Sequence, residues 1–259
     1  MPTSGTIEQG QDLVAAAQRI VFVTGAGIST AAGIPDFRGP NGLWTKNPKA
    51  EKLAHIDHYV NDPEVRELAW QARLSSAAWE ARPTVAHRCI TAVHERGQMR
   101  ALVTQNVDGL HQAAGTPDDR VIEVHGTMHW SICWTCNDRL PMADTLKRVV
   151  AGEVDPDCLV CRAAGRRGIL KSDTISFGQQ LVPEVIERAF TAAAGCDLLI
   201  AVGSTLQVYP VAGVVPEAKE HGAKVIIVNG GATGMDSIAD VIIQADIQET
   251  LPRLLSVAG

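Results

Sequence analysis

The chain has 259 residues, 46% of them hydrophobic and 20% charged, with a formal net charge of −6 at pH 7. Such a length supports a sizeable core, as one large domain or a domain with an insert, and the acidic balance argues against a nucleic-acid binder, which asks for a basic face. No run approaches the roughly 18 apolar residues of a membrane span. The N-terminal MPTSGTIEQGQDL has neither a basic nor an apolar signal region, so a cytoplasmic, reducing setting is expected, and there the six cysteines suggest metal or free thiols before disulfides.

Residues 7–19 carry a helical pattern, with Leu13, Val14 and Ala17 on one side. Ile20-Val21-Phe22-Val23 reads as a short buried strand. Gly25-Ala26-Gly27 follows at once; glycines there let the backbone approach a phosphate, and a helix from Ile28 to Ala32 would point its amides at it. Gly33-Ile34-Pro35 stops that helix, because Pro35 disfavours helical geometry at Ile34. Asp36, Phe37 and Arg38 are then presented from a loop. A dinucleotide fingerprint would place its third glycine at position 30, which is Thr30. The glycines alone therefore do not separate a nucleotide loop from an ordinary strand–turn–helix junction.

The next stretch changes character. It holds Trp44, Trp70, Trp79 and Asn61-Asp62-Pro63 and no convincing strand. It reads as a helical insert, with Pro63 in the first turn of a helix capped by Asp62. A helix over 84–97 is closed by Gly97. Strands at Ala101-Leu102-Val103 and Val121-Ile122-Glu123-Val124 end at Thr104-Gln105-Asn106 and at His125-Gly126. Ile175 to Phe177 reads as another short strand, followed by a helix carrying Val182, Val185, Ile186 and Phe190. The last third alternates again: Leu198 to Val202, Val225 to Val228, Val241 to Ile243, then a helix from Ile247. Apolar strands alternating with helices imply an α/β fold whose parallel sheet is covered on both faces, with ligands at the carboxyl ends of the strands. Polar clusters follow the strands at Gly25–Ser29, Gln105–Asp108, His125, Gly203–Thr205 and Asn229, and together they describe one site on one edge.

Cys133-x2-Cys136 and Cys158-x2-Cys161 are separated by 21 residues. Each pair places two thiolates on one turn, and two pairs complete a tetrahedron around zinc. Four thiolates leave the ion no position for water, so the expected role is structural. Cys89 and Cys196 stand apart and read as core thiols.

The motifs GAGIS at 25–29, GIPDFR at 33–38, TQNVDGLH at 104–111, HG at 125–126, the cysteine pairs, FG at 177–178, GSTL at 203–206 and VN at 228–229 resemble, in order and spacing, the sirtuins. These are NAD-dependent protein-lysine deacylases. The resemblance covers about residues 13–255. It implies a Rossmann-like NAD-binding domain from 1–45, 84–128 and 177–259, a helical module at 46–83 and a zinc-binding module at 129–176. It also implies an acylated lysine peptide as partner and NAD as co-substrate. His125 would be the catalytic base, helped by Asn106 and Asp108. The cofactor would meet Gly25, Ala26, Gly27, Ser29, Asp36, Phe37, Arg38, Gln105, Asn106, Asp108, Gly203, Ser204, Thr205, Asn229, Gly230 and Ile247. Ile34 would line the same pocket. Ile175, Phe177, Gly178, Val208 and Tyr209 would clamp the peptide as an added strand. A histidine suits removal of a ribose hydroxyl proton near neutral pH. The products implied are nicotinamide, the free lysine and O-acyl-ADP-ribose.

Two departures bear on specificity. Ser172 and Gln179 stand where the commoner pattern has proline and an acid, and GILKSDTI at 168–175 with ARPT at 81–84 is similar to the nuclear class with weak deacetylase and ADP-ribosyl-transfer activity. Mono-ADP-ribosyl transfer from the same site is thus the alternative function. A desuccinylating class carries Tyr-x-x-Arg in the helical insert; here the nearest match is Trp70-x-x-Arg73, without the phenol, so succinyl-lysine is not the expected substrate.

Overall fold

The structure, a computed structural model, describes residues 5–36 and 54–257. Six parallel strands form its main sheet: β1 (Ile20–Thr24), β2 (Met99–Thr104), β3 (Val121–Glu123), β7 (Leu198–Val202), β8 (Lys224–Asn229) and β9 (Val241–Gln244), in the order β3-β2-β1-β7-β8-β9. β1 and β7 are buried at every position, as strands covered on both faces must be. One face packs on the helices Ile7–Ala16, Val85–Glu95 and Ile247–Leu254, through Val14, Ile90, Val93, Leu251 and Leu254. The other packs on Pro183–Ala194 and Val214–Glu220, through Ala189, Ala193, Val215 and Ala218. The chain runs outward from β1 in one direction and from β7 in the other. The strand order therefore reverses between β1 and β7, and the crevice at their carboxyl ends is the place such sheets offer a ligand.

A second sheet is antiparallel, in the order β5-β4-β6, from β4 (Gly126–Cys133), β5 (Arg139–Pro141) and β6 (Leu170–Thr174). The sequence reading contained none of these three strands. It expected Ile175 to Phe177 as a strand instead; the strand ends at Thr174, and Phe177 makes only an isolated parallel bridge to His55. Helices Ile56–Asn61 and Pro63–Leu74 form a hairpin over this sheet. Asp62 caps the second as expected, its Oδ1 accepting from the Glu64 amide at 2.9 Å. Trp70 is fully buried against Met142, Val149, Leu170 and the cysteines. The Arg66 guanidinium clamps the hairpin, donating to Asp155 and to the carbonyls of Tyr59 and Val60.

The expected helix from Ile28 to Ala32 is not formed. Two single 3₁₀ turns, Ala26–Ile28 and Thr30–Ala32, take its place. Gly33, at φ +84°, ends the second, and the first is drawn aside because the Gly27 amide donates to the Gly203 carbonyl at 2.9 Å. Phe37, Arg38 and Trp44 lie outside the described residues.

Candidate active site

The site is built on the β1 and β7 loops lying backbone to backbone. A Cβ on Gly27 would fall 2.8 Å from the Gly203 Cα, and one on Gly25 would fall 2.7 Å from the Gly203 carbonyl oxygen. Only glycine fits there. The two glycines thus join the loops, and their amides are spent on Val202 and Gly203 rather than held out in a row toward a phosphate.

Five side chains from three strand ends then lock together. Gln105 donates its amide to the Thr24 carbonyl and its Nε2 to Ser204 Oγ at 2.8 Å. Asn106 Nδ2 donates to the Gly25 carbonyl at 3.1 Å and to Ser29 Oγ at 3.2 Å. Both its amide hydrogens are so engaged, which leaves Oδ1 as the acceptor the side chain has to offer. Ser29 Oγ donates to Asp108 Oδ2 at 2.7 Å, while Asp108 Oδ1 accepts from the Leu110 amide at 3.0 Å. Asp108 therefore both holds the first amide of the helix Leu110–Ala113 and belongs to the cluster.

His125 sits where the chain leaves the main sheet for the second one. Its Nδ1 lies 3.0 Å from the Gln105 carbonyl. A carbonyl only accepts, so Nδ1 carries the proton and Nε2 keeps its lone pair. Burial lowers the pKa of the ring below its ordinary value, against the opposing pull of that hydrogen bond. The imidazole is therefore a neutral proton acceptor near pH 7, with its Nε2 unblocked by the Gln105 bond. Gly126, at φ +72°, lets the backbone turn directly after it, where any Cβ would strike the Asp173 carbonyl. The Ile175 amide donates to the His125 carbonyl at 2.8 Å, which brings Ile175 beside the base.

Around this centre the other expected residues are spread along the sheet edge. Thr205 is exposed and Ser204 half-buried beyond Gly203. Asn229 Nδ2 donates to the Gly231 carbonyl, and the Gly230 carbonyl accepts from Gln244. Ile247 is buried in the core at the start of the terminal helix. Asp36 is half-buried at the edge of the described loop. Tyr209 is exposed and Val208 half-buried. The Phe177 amide and carbonyl pair with Ala54 and Ile56, and the His55 ring lies against Gly178, where a Cβ would fall 2.7 Å from Cε1.

The four cysteines converge as the spacing requires. Their sulfurs lie within 4.8 Å of one another, with Cys133–Cys161 at 3.9 Å and Cys136–Cys158 at 3.7 Å. A tetrahedron with Zn–S bonds of about 2.3 Å has edges of about 3.8 Å, so Cys133, Cys136, Cys158 and Cys161 fit a structural zinc ion. Cys89 and Cys196 are buried, with thiol pKa values raised by burial.

A model of the Sir2 family matches residues 25–210. The chain belongs to the Sir2 family. It is 45% identical to NAD-dependent protein deacetylase 2 of Streptomyces coelicolor, over 93% of this chain and 98% of that one. It is 40% identical to NAD-dependent protein deacetylase 1 of Bradyrhizobium diazoefficiens, over 95% and 93%. Among solved structures, Sir2Tm bound to a propionylated peptide superposes with a TM-score of 0.84 at 29% identity, covering 97% of this chain and 98% of that one. The expected α/β architecture is thus that of the Sir2 family. No described helix is long and apolar enough to cross a membrane.

Sequence reasoning missed one group beneath the site. Thr24, Thr84, His87, Thr104 and His111 are all buried. Thr104 and His111 open and close the TQNVDGLH motif, where His111 is expected to pack or hydrogen-bond, and His87 follows Thr84 by three residues, the spacing of an N-terminal capping pair; what the sequence does not show is that they meet.

Proposed function

We propose that this Sir2-family chain is an NAD-dependent protein-lysine deacylase, acting on acetylated or otherwise acylated lysine peptides. The observation that carries the reading is His125, a neutral imidazole fixed by Gln105 and joined through it to the cluster at the point of strand reversal. NAD supplies an ADP-ribosyl group whose sugar carbon, once nicotinamide departs, takes the acyl oxygen of the modified lysine. In this reading His125 Nε2 accepts the ribose hydroxyl proton that must leave before the hydroxyl can attack the acyl carbon. Asn106 Oδ1 and the Ser29–Asp108 pair orient the nicotinamide end. The resemblance assigns Asp36, Phe37 and Arg38 to the same end. Gly25, Ala26, Gly27, Gly203, Ser204, Thr205, Asn229, Gly230 and the Ile247 backbone hold the remainder.

The peptide is assigned to the edge formed by Ile175, Phe177, Gly178, Val208 and Tyr209. Since Phe177 already pairs with Ala54 and Ile56, the added strand bonds the backbone of Gly178. The division into an NAD-binding domain (1–45, 84–128, 177–259), a helical module (46–83) and a zinc module (129–176) belongs to the same reading, as does a cytoplasmic location. The naming of the relatives as deacetylases favours deacylation over mono-ADP-ribosyl transfer.

His125→Ala tests it. Loss of a general base is expected to lower NAD-dependent deacetylation of an acetyl-lysine peptide by about 10²–10⁴-fold, with far-ultraviolet circular dichroism and zinc content unchanged. Turnover near that of the parent would overturn the assignment. Mass spectrometry with labelled NAD separates O-acetyl-ADP-ribose from protein-bound ADP-ribose.

A further inference from the structure

Beneath Asn106 lie two imidazoles, His87 and His111, both fully buried, with ring centroids 4.7 Å apart and planes tilted by 56°. Among the described residues His87 Nε2 and His111 Nδ1 have no hydrogen-bond partner. Buried polar atoms without partners are uncommon and each needs an explanation.

The neighbours determine which nitrogens carry protons. The Thr84 amide points at His87 Nδ1 at 3.2 Å. An amide only donates, so Nδ1 holds a lone pair and the neutral ring has its hydrogen on Nε2. Thr84 Oγ1, 2.8 Å from the same Nδ1 and 3.3 Å from the Ile28 carbonyl, can direct its hydrogen to either. At the other ring, Thr24 Oγ1 donates its single hydrogen to Thr104 Oγ1 at 2.9 Å. Its contact with His111 Nε2, also 2.9 Å, therefore requires Nε2–H to donate. That leaves His111 Nδ1 as a bare acceptor. The two orphans are complementary, a donor on His87 and an acceptor on His111, on adjoining rings.

We propose that the contacting rings of His87 and His111 belong to a buried uncharged chain that runs from Thr84 through His87 and His111, and on through Thr24 and Thr104 to the Asn106 amide, and that both histidines are positioning residues for the reaction. The last link is present: the Asn106 amide donates to Thr104 Oγ1 at 3.1 Å. Beyond it, Asn106 Nδ2 holds Ser29 Oγ, and Ser29 follows Ile28, whose carbonyl the Thr84 hydroxyl reaches. The chain thus starts and finishes on either side of the Ser29–Asn106 contact. Neither imidazole touches the crevice. They act by fixing the direction of the Thr24 hydroxyl beneath it, so that the backbone of Asn106 is held while its Oδ1 faces the ligand. The proposal rests on the deacylase reading for what Asn106 does, and not for its own geometry.

The experiment has two parts. Two-bond proton–nitrogen correlation spectra of the ¹⁵N-histidine-labelled full chain report the protonation of each ring without any assay. Both rings are expected neutral at pH 7 with the proton on Nε2; a proton on Nδ1 of either, or a charged ring, would overturn the chain. In steady-state kinetics, His111→Gln keeps a donor at the Nε2 position and His111→Phe removes it. His111→Phe and the isosteric Thr24→Val are each expected to lower kcat about tenfold, the equivalent of one lost hydrogen bond, with the KM values for peptide and NAD moving by less than about twofold. His111→Gln should recover most of kcat. Values of kcat within about twofold of the parent for Thr24→Val would overturn the positioning role even if His111→Phe failed to fold. Failure of the deacylase reading itself would show separately, as absent activity in the parent protein with the spectra unaffected.

Discussion

Arg73 shows how one residue's surroundings decide its chemistry. Among the described residues its Nη1 is buried without a hydrogen-bond partner, and its guanidinium lies over the Tyr59 and Trp70 rings, 5.5 and 5.2 Å from their centroids. Two aromatic faces stabilise the cation. The Tyr59 phenol is committed to the Leu170 carbonyl at 2.8 Å, and burial raises its pKa to about 12. Nearby Lys171 is pushed down to about 8, by burial first and by Arg73 second, with its Nζ donating to the carbonyls of Ser172 and Thr174. Arg73 is thus enclosed by rings rather than held out to a substrate, and no free phenol accompanies it. Acetyl- and longer neutral acyl-lysine peptides are therefore expected to turn over faster than succinyl-lysine. A panel of acylated peptides compared by kcat/KM checks this, and a succinyl preference would refute it. The Trp70-x-x-Arg73 spacing was legible in the sequence. The stacking was not, because Tyr59 comes from the preceding helix.

Among the elements, legibility followed the source of stability. β1 and β7 announced themselves as unbroken apolar runs because both faces of the main sheet are covered. β4 and β6 did not. In β6, Lys171, Ser172 and Asp173 leave neither a continuous run nor an apolar–polar alternation; β4 does alternate, Thr127-Met128-His129-Trp130-Ser131-Ile132, but Thr127 and Ser131 are buried while Trp130 is exposed, so its alternation does not mark an apolar core face. Hydrogen bonds replace apolar packing there: Ser131 Oγ lies 2.7 Å from Thr145 Oγ1. The apolar core around Trp70, Met142, Val149 and Leu170 is small and is shared with the four cysteines. A metal that binds only the folded form contributes its binding energy to folding, and in this module that contribution is large against the core. Removing zinc with a chelator is expected to make residues 129–176 susceptible to protease while the six-stranded sheet, with cores on both faces, persists. Limited proteolysis read by mass spectrometry checks it; a chelated sample with an unchanged cleavage pattern and activity would contradict it. The same contrast explains Ile28 to Ala32, whose local pattern favoured a helix. The tertiary approach of Gly27 to Gly203 prevailed over it.

Across the whole molecule, the buried imidazoles tie the helix Val85–Glu95 to the carboxyl ends of β1 and β2, and so couple the fold's stability to pH. Burial lowers the pKa of His87 from 6.5 to about 4, with Asp108 raising it and Arg88 lowering it in smaller measure. His111 lies well below 6.5, through burial first and His87 second. The sign follows from proton counting. Between these values the unfolded chain binds protons that the native rings refuse, so stability rises with pH and is lost as pH falls from about 6.5 toward 4. For His87 alone the loss would be on the order of 3 kcal/mol, a large part of the stability of an ordinary domain. Release of zinc in acid would add to the fall, so the parent's pH profile alone does not isolate the histidines. His87→Asn keeps an acceptor for the Thr84 amide and cannot take the proton. Urea midpoints measured at intervals from pH 7 to 4.5 should fall more steeply for the parent than for His87→Asn, the zinc contribution being common to both. Parallel curves would mean that His87 takes up its proton as readily in the folded protein as in the unfolded chain, and that its burial exerts no hold on its charge.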